Sequence, residues 1–207
     1  MFRGLVVLMA LVSASPAYAL DAFMWGVGPQ VGTMIVPGGF PAVLPPAVVD
    51  DAGLEKVRAD VEFGVNAVYY ANESTRIGVS GEAGVAAGYF DMNMLVRYDW
   101  IGSSDALHFV TGAAAGFGTM RFSGAGQSEL RVPYYPLRVE AGALIPDHSR
   151  AYQGLIYAKY DLPSNHFYTN QAGEDTDVGT GFYGTIGVEL AVYLGDFSPP
   201  RAHKGKH

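Results

Sequence analysis

Eight successive stretches of this chain alternate, residue by residue, between apolar side chains and polar or small ones, and that period of two leaves few folds open. Between 57 and 70, Val57, Ala59, Val61, Phe63, Val65, Ala67 and Tyr69 share one phase, while Arg58, Asp60, Glu62, Gly64 and Asn66 share the other. A helix would scatter both sets around its circumference, whereas an extended strand separates them completely. The stretch 76–89 opposes Ile77, Val79, Ala83, Val85 and Tyr89 to Arg76, Ser80, Glu82 and Gly88. The last opposes Phe182, Ile186, Val188, Leu190, Val192 and Leu194 to Thr185, Gly187, Glu189 and Ala191. The pattern predicts strands over 25–36, 57–70, 76–89, 92–100, 107–120, 135–144, 151–161 and 180–195. Most have at least the ~9–11 residues that a tilted strand needs to cross a bilayer.

Charge follows the same division. The apolar phase of the eight stretches holds no Asp, Glu, Lys or Arg, and the other phase holds Arg58, Asp60, Glu62, Arg76, Glu82, Arg97, Asp99, Arg138, Glu140, Lys159, Asp161 and Glu189. An Arg or Lys facing hydrocarbon near the midplane costs about 2–4 kcal/mol, so such residues are expected inside a barrel, where they can pair. The polar phase is also rich in glycine (Gly26, Gly28, Gly32, Gly64, Gly78, Gly84, Gly88, Gly112, Gly116, Gly118, Gly142, Gly187), as a narrow interior requires and a wetted surface does not. Aromatic residues gather at the ends of the apolar phase. Trp25, Tyr69, Tyr98, Trp100, Phe109, Tyr152 and Phe197 fall at one end, and Tyr89, Phe117, Tyr135, Tyr160 and Phe182 at the other. Two such levels match the interfacial girdles of a membrane barrel.

The connections alternate in length. Ala71 to Thr75, Ile101 to Ala106 and Ile145 to Arg150 are short, while Pro37 to Lys56, Arg121 to Tyr134 and Leu162 to Gly179 are long, with one tight reversal near Phe90-Asp91. The expected fold is all-β: a closed antiparallel up-and-down transmembrane β-barrel of eight strands, with short turns and both termini in the periplasm and long loops outside. Packed side chains leave so narrow a barrel no open pore. A salt-bridged plug is therefore expected, with Arg58, Arg97, Arg138 and Lys159 set against Glu62, Glu82, Glu140 and Glu189.

Outside the alternating region, Met1-Phe2-Arg3, the apolar run Gly4 to Val12 and the small-x-small Ala17-Tyr18-Ala19 read as a signal peptide over 1–19. The barrel then occupies 20–197, and 198–207 is a basic periplasmic tail containing Arg201, Lys204 and Lys206. A net charge of −7 argues against nucleic acid as a partner. The chain has no cysteine, so disulfides do not stabilise it, and a closed sheet held by lipid is an alternative source of stability.

Over residues 23–197 the sequence resembles the small outer-membrane β-barrel superfamily, the porin-like eight-stranded proteins. The resemblance rests on the pattern and on the final strand, Gly187-Val188-Glu189-Leu190-Ala191-Val192-Tyr193-Leu194-Gly195-Asp196-Phe197. That strand is similar to the aromatic-ended signal that such barrels present to the barrel-assembly machinery. The resemblance implies a Gram-negative outer-membrane location among outer-membrane lipid and lipopolysaccharide. It supplies no catalytic or ligand motif.

Other candidate features have plain structural readings. His108 lies on the interior phase without the serine and acid spacing of a hydrolase. Asn170, Glu174, Asp175 and Asp177 lack the spacing of a calcium loop. Asn72-Glu73-Ser74 matches a glycosylation sequon within a turn, and 37–56 is apolar and proline-rich. The reading is therefore a non-enzymatic barrel without cofactor or metal, acting structurally or through its outer loops. A lipid-modifying barrel enzyme and a narrow solute channel are the alternatives.

Overall fold

Wherever the sequence alternates, the chain is extended. The computed structural model describes residues 24–37, 59–86, 88–102, 107–123, 129–147, 149–164, 166–169, 175–179, 183–195 and 197. The expected signal peptide, the basic tail, Arg58, Phe182, Asn170, Glu174 and nearly all of the proline-rich loop lie outside those residues. The strands are β1 (Trp25–Ile35), β2 (Ala59–Asn72), β3 (Thr75–Ala86), β4 (Tyr89–Gly102), β5 (His108–Ser123), β6 (Glu129–Asp147), β7 (Arg150–Pro163), β8 (His166–Thr169), β9 (Asp175–Gly179) and β10 (Tyr183–Gly195). Eight of them, β1 to β7 and β10, each pair antiparallel with the next, and β10 pairs with β1. The result is a closed up-and-down barrel.

Its stagger follows from the registers. Stepping between paired residues from Gly26 leads through Val68, Gly78, Arg97, Ala114, Arg138 and Lys159 to Thr185. Since Ile186 pairs with Ile35, Thr185 is level with Val36, and the circuit has climbed 36 − 26 = 10 residues. Ten residues of shear over eight strands tilt the strands by about 40° and set a backbone radius of about 8 Å.

So small a radius leaves room for few large side chains, and glycine makes that room. A Cβ on Gly84, Gly112, Gly118 or Gly187 would stand 2.1–2.5 Å from Asp60, Asp99, Tyr134 or Tyr157 respectively, so each large group fills the notch over a glycine. At Gly28 and Gly116 the obstacle is backbone, the carbonyl oxygens of Val192 and Met94 at 1.7 and 1.8 Å. The two ends of the barrel differ. At the turn end, where the chain enters and leaves, Met24, Tyr70, Ile101, Val110, Leu144, Leu155, Tyr193 and Phe197 form an apolar cluster inside.

Three expectations are corrected. The β3–β4 reversal falls between Ala86 and Tyr89, with Gly88 at φ 72°, a left-handed conformation suited to glycine, rather than at Phe90-Asp91. Moving the turn back flips the phase. Tyr89 becomes interior, Phe90 outward, and Asp91 an interior residue of β4. Phe197 also turns inward, fully buried and edge-on to Tyr70 at 6.2 Å between ring centroids, instead of joining the outer aromatic set.

The third correction concerns 162–179, expected to be a loop. β8 continues β7 along β6, and β9 pairs with β8 in the register that β7 and β10 share: Asp175 with Thr169, Tyr183 with Asp161. A shift at His166/Phe167 marks the join. The wall therefore rises on this side as a hairpin beyond the barrel. At the opposite end the Asn72 side chain accepts hydrogen bonds from the Ser74 amide at 2.9 Å and hydroxyl at 3.1 Å, so the sequon residue serves a tight turn.

The glycine contacts give a direct test. Gly28→Ala must displace the β10 backbone and should destabilise the folded barrel by about 1–3 kcal/mol, as overpacking does. Gly81→Ala, where a Cβ meets nothing within 4 Å, should leave stability unchanged. Urea unfolding in detergent micelles, followed by the mobility shift between folded and heated protein, measures both.

Candidate functional site

Alternation sends every second side chain of the eight barrel strands into the narrow lumen, and there the polar residues form three levels. Nearest the turn end, Arg76 holds Asp99 through Nη2 at 2.6 Å and Nε at 2.8 Å, and its guanidinium lies over the rings of Tyr70 at 5.8 Å and Tyr193 at 5.6 Å. β3 and β4 place this pair directly opposite one another. Two aromatic faces and one carboxylate suit a cation removed from water.

The middle level is a ring of charge across the lumen. Arg97 reaches Glu140 Oε1 with Nη2 at 2.5 Å and Nε at 3.0 Å, and touches Glu189 at 3.3 Å and Asn66 at 3.2 Å through Nη1. Arg138 contacts Glu140 at 2.8 Å and Glu82 at 3.2 Å, donates to Glu189, and stacks 3.9 Å over the Tyr157 ring. Asn66 donates to Gln30, Ser80 donates to Glu82 at 3.0 Å, and Tyr157 donates to Glu62. Seven of the eight barrel strands, all but β5, contribute to this one network.

Towards the loop end, Lys159 lies 3.3 Å from Asp91 and 3.9 Å from Asp161, with its ammonium 5.6 Å from the centre of the Tyr134 ring. Tyr134 donates to Asp91 at 2.5 Å, and the Met34 amide donates to Asp60 at 3.0 Å. Arg76, Arg97, Asp91, Asp99 and Asp161 are 0% exposed, and Arg138 and Lys159 are 2% exposed. The lumen is filled rather than open.

Apart from Arg58, which lies outside the described residues, the expected interior residues are therefore brought together, with two changes of partner. Lys159 pairs with Asp91 and Asp161 rather than with a glutamate, and Glu62 is held by Tyr157 rather than by a cation. The lumen is also more acidic than the nearly balanced five bases and seven acids expected on the interior phase. Among the described residues four buried bases (Arg76, Arg97, Arg138, Lys159) face eight buried acids (Asp60, Glu62, Glu82, Asp91, Asp99, Glu140, Asp161, Glu189). Sequence reasoning missed Asp91, assigned to a turn, and Tyr70, Tyr134, Tyr157 and Tyr193. Counting by twos from Arg97, Arg138, Lys159 and Glu189, and from Asp60 for Tyr70, finds all five.

His108 is buried at the turn end, on β5 opposite Leu144. Asp175 and Asp177 stand on strand β9, not in a loop.

The outer surface is the inverse of the lumen. Between the level of Asp147 and Arg150 at the turn end and that of Arg121 and Arg131 at the loop end, every outward residue of the described wall is uncharged. Its large apolar side chains are bare: Val65 58%, Val96 61%, Val139 62%, Ile156 63% and Leu190 58% exposed. Trp25, Tyr69, Trp100, Phe109 and Tyr152 form one exposed belt, and Phe90, Phe117, Tyr135 and Tyr160 form the other. Strand rise and tilt place the belts roughly 20 Å apart along the axis.

No protein-family model matches the chain, and no curated protein does.

The excess of buried acid predicts unequal responses to mutation. Arg97→Ala leaves Glu140 and Glu189 short of a cation and should destabilise the barrel by about 3–5 kcal/mol. Asp161→Asn relieves like charge beside Asp91 and should be neutral or stabilising. Urea midpoints of the two variants in micelles check the contrast, and equal losses would contradict it.

Proposed function

We propose that this chain is an integral outer-membrane barrel that works as a closed wall and acts through the structure at its loop end. One observation carries the reading: an uncharged apolar band between two aromatic belts, wrapped around a lumen that holds the ionised groups of the wall. Water gives no reason to bare so many large apolar side chains, and contiguous patches beyond a few hundred Å² mark an interaction surface. Hydrocarbon gives the reason directly, and a band of about 25 Å is what a membrane barrel presents. The filled lumen supports a wall rather than a conduit. The rising hairpin of β8 and β9 supports recognition beyond the membrane, because a rigid scaffold tolerates variation there.

Placing a charge in the band tests the membrane part. Val188 is outward, 48% exposed and near mid-height. Val188→Arg should lower the stability of the folded barrel in phospholipid vesicles by about 2–4 kcal/mol, with the loss vanishing for an arginine placed beyond either belt. A loss independent of height would contradict lipid contact.

Removing 166–179 tests the second part. The cut leaves β7 and β10 in register and should preserve the mobility shift of the unheated barrel while abolishing its cell-surface interactions. Shortened barrels that keep every surface phenotype of intact cells would move the function to the wall.

A further inference from the structure

The outward surface carries ionised side chains only at its margins among the described residues, and the two margins differ. At the turn end Asp147 and Arg150 are register partners of opposite charge. At the loop end the partners are Arg121 on β5 and Arg131 on β6, both arginines and both exposed. Directly opposed residues on one face of an antiparallel pair have Cβ atoms about 4.5–5.5 Å apart, and like charges so placed repel. A chain of net charge −7 thus sets two cations side by side at one point of its rim.

The setting is specific. Phe90 is the register partner of Arg121 on the other side and is 41% exposed. Below this row, Met92, Met94 and Phe117 line the outward face at 53%, 55% and 61% exposure. Arg121 lies four residues beyond Phe117, and Arg131 four beyond Tyr135, which puts the pair roughly 10 Å beyond those two rings along the axis and level with the outer edge of the belt at Phe90. A guanidinium has five N–H donors in a planar fork, so an arginine that holds a neighbour on the protein keeps donors for an oxyanion. An oxyanion between the two forks turns their repulsion into charge-assisted hydrogen bonds.

Resting on the membrane reading above, we propose that Arg121 and Arg131 clamp the phosphate of a lipid headgroup at the loop-end interface, with the lipid's chains lying along Phe90, Met92, Met94 and Phe117. The partner is defined by chemistry: a phosphate whose attached apolar chains point towards the belt. Height, doubled charge and the apolar column below all favour a lipid over a free anion.

The test uses the full-length folded barrel in micelles, titrated with bis-phosphorylated lipid A and read by native mass spectrometry. Dephosphorylated lipid A and inorganic phosphate serve as comparators. The wild type should retain the phosphorylated lipid, and the Arg121→Gln/Arg131→Gln double variant should lose about tenfold or more in affinity. Arg150→Gln should change nothing, and millimolar inorganic phosphate should not displace the lipid. Should the double variant not fold, each single variant must show part of the loss. Equal retention by wild type and variants, or displacement by inorganic phosphate, overturns the clamp. Flotation of the wild type with phosphatidylcholine vesicles is measured in parallel. Protein that floats while the variants bind normally refutes the clamp alone, and protein that does not float refutes the membrane reading and the clamp together.

Discussion

A closed antiparallel wall one residue thick fixes the direction of every side chain by its parity. Each barrel strand is hydrogen-bonded on both sides, so a slip of one residue anywhere would exchange inside for outside along a whole strand. Exchange would put Arg97, Arg138 and Glu189 on the outer surface and force Val96, Val139 and Leu190 into the lumen. The lumen could not take them, because Gly112, Gly118 and Gly187 are cut to fit Asp99, Tyr134 and Tyr157. Closure, glycine placement and the charged ring therefore specify the same register from three directions, which is the consistency expected of a sequence with one structure.

The lumen is graded along its axis. Its turn end is apolar, capped by Met24 and Phe197 from the two ends of the described chain. Its middle is a ring in which Arg97 and Arg138 share Glu140 and Glu189. Its loop end is acid-rich around the single ammonium of Lys159. Breaking a buried pair is far more costly than never forming one, so this network holds seven strands in a single arrangement. The hairpin of β8 and β9 and the arginine row of β5 and β6 stand where the wall ends.

Much of this was legible in the sequence because period two survives any tertiary context. Strand number, closure, the inward phase and the outward band all follow from parity. What parity could not supply were the places where it resets. At Gly88 the turn comes three residues earlier than expected, which hides Asp91 and misplaces Tyr89. Phe197 has the aromatic character of a belt residue, but it lies two and four residues beyond Gly195 and Tyr193 on the inward phase. The strand expected over 135–144 runs from Glu129 to Asp147, because Pro133 still pairs with Thr119 and the ladder lapses only around Pro136. Partner choice was out of reach, since Lys159 meets Asp91 only through the circuit of the closed wall.

The account depends most on where the outer band sits. The chain has two tryptophans, Trp25 and Trp100, and both lie on the turn-end belt, 56% and 55% exposed. Tryptophan fluorescence in vesicles of phosphatidylcholine brominated at successive acyl positions reads their depth. The account predicts quenching that is strongest for bromine near the headgroup and falls steadily towards the chain ends. Absence of quenching at every position, from protein that stays monodisperse in water without detergent, would contradict it.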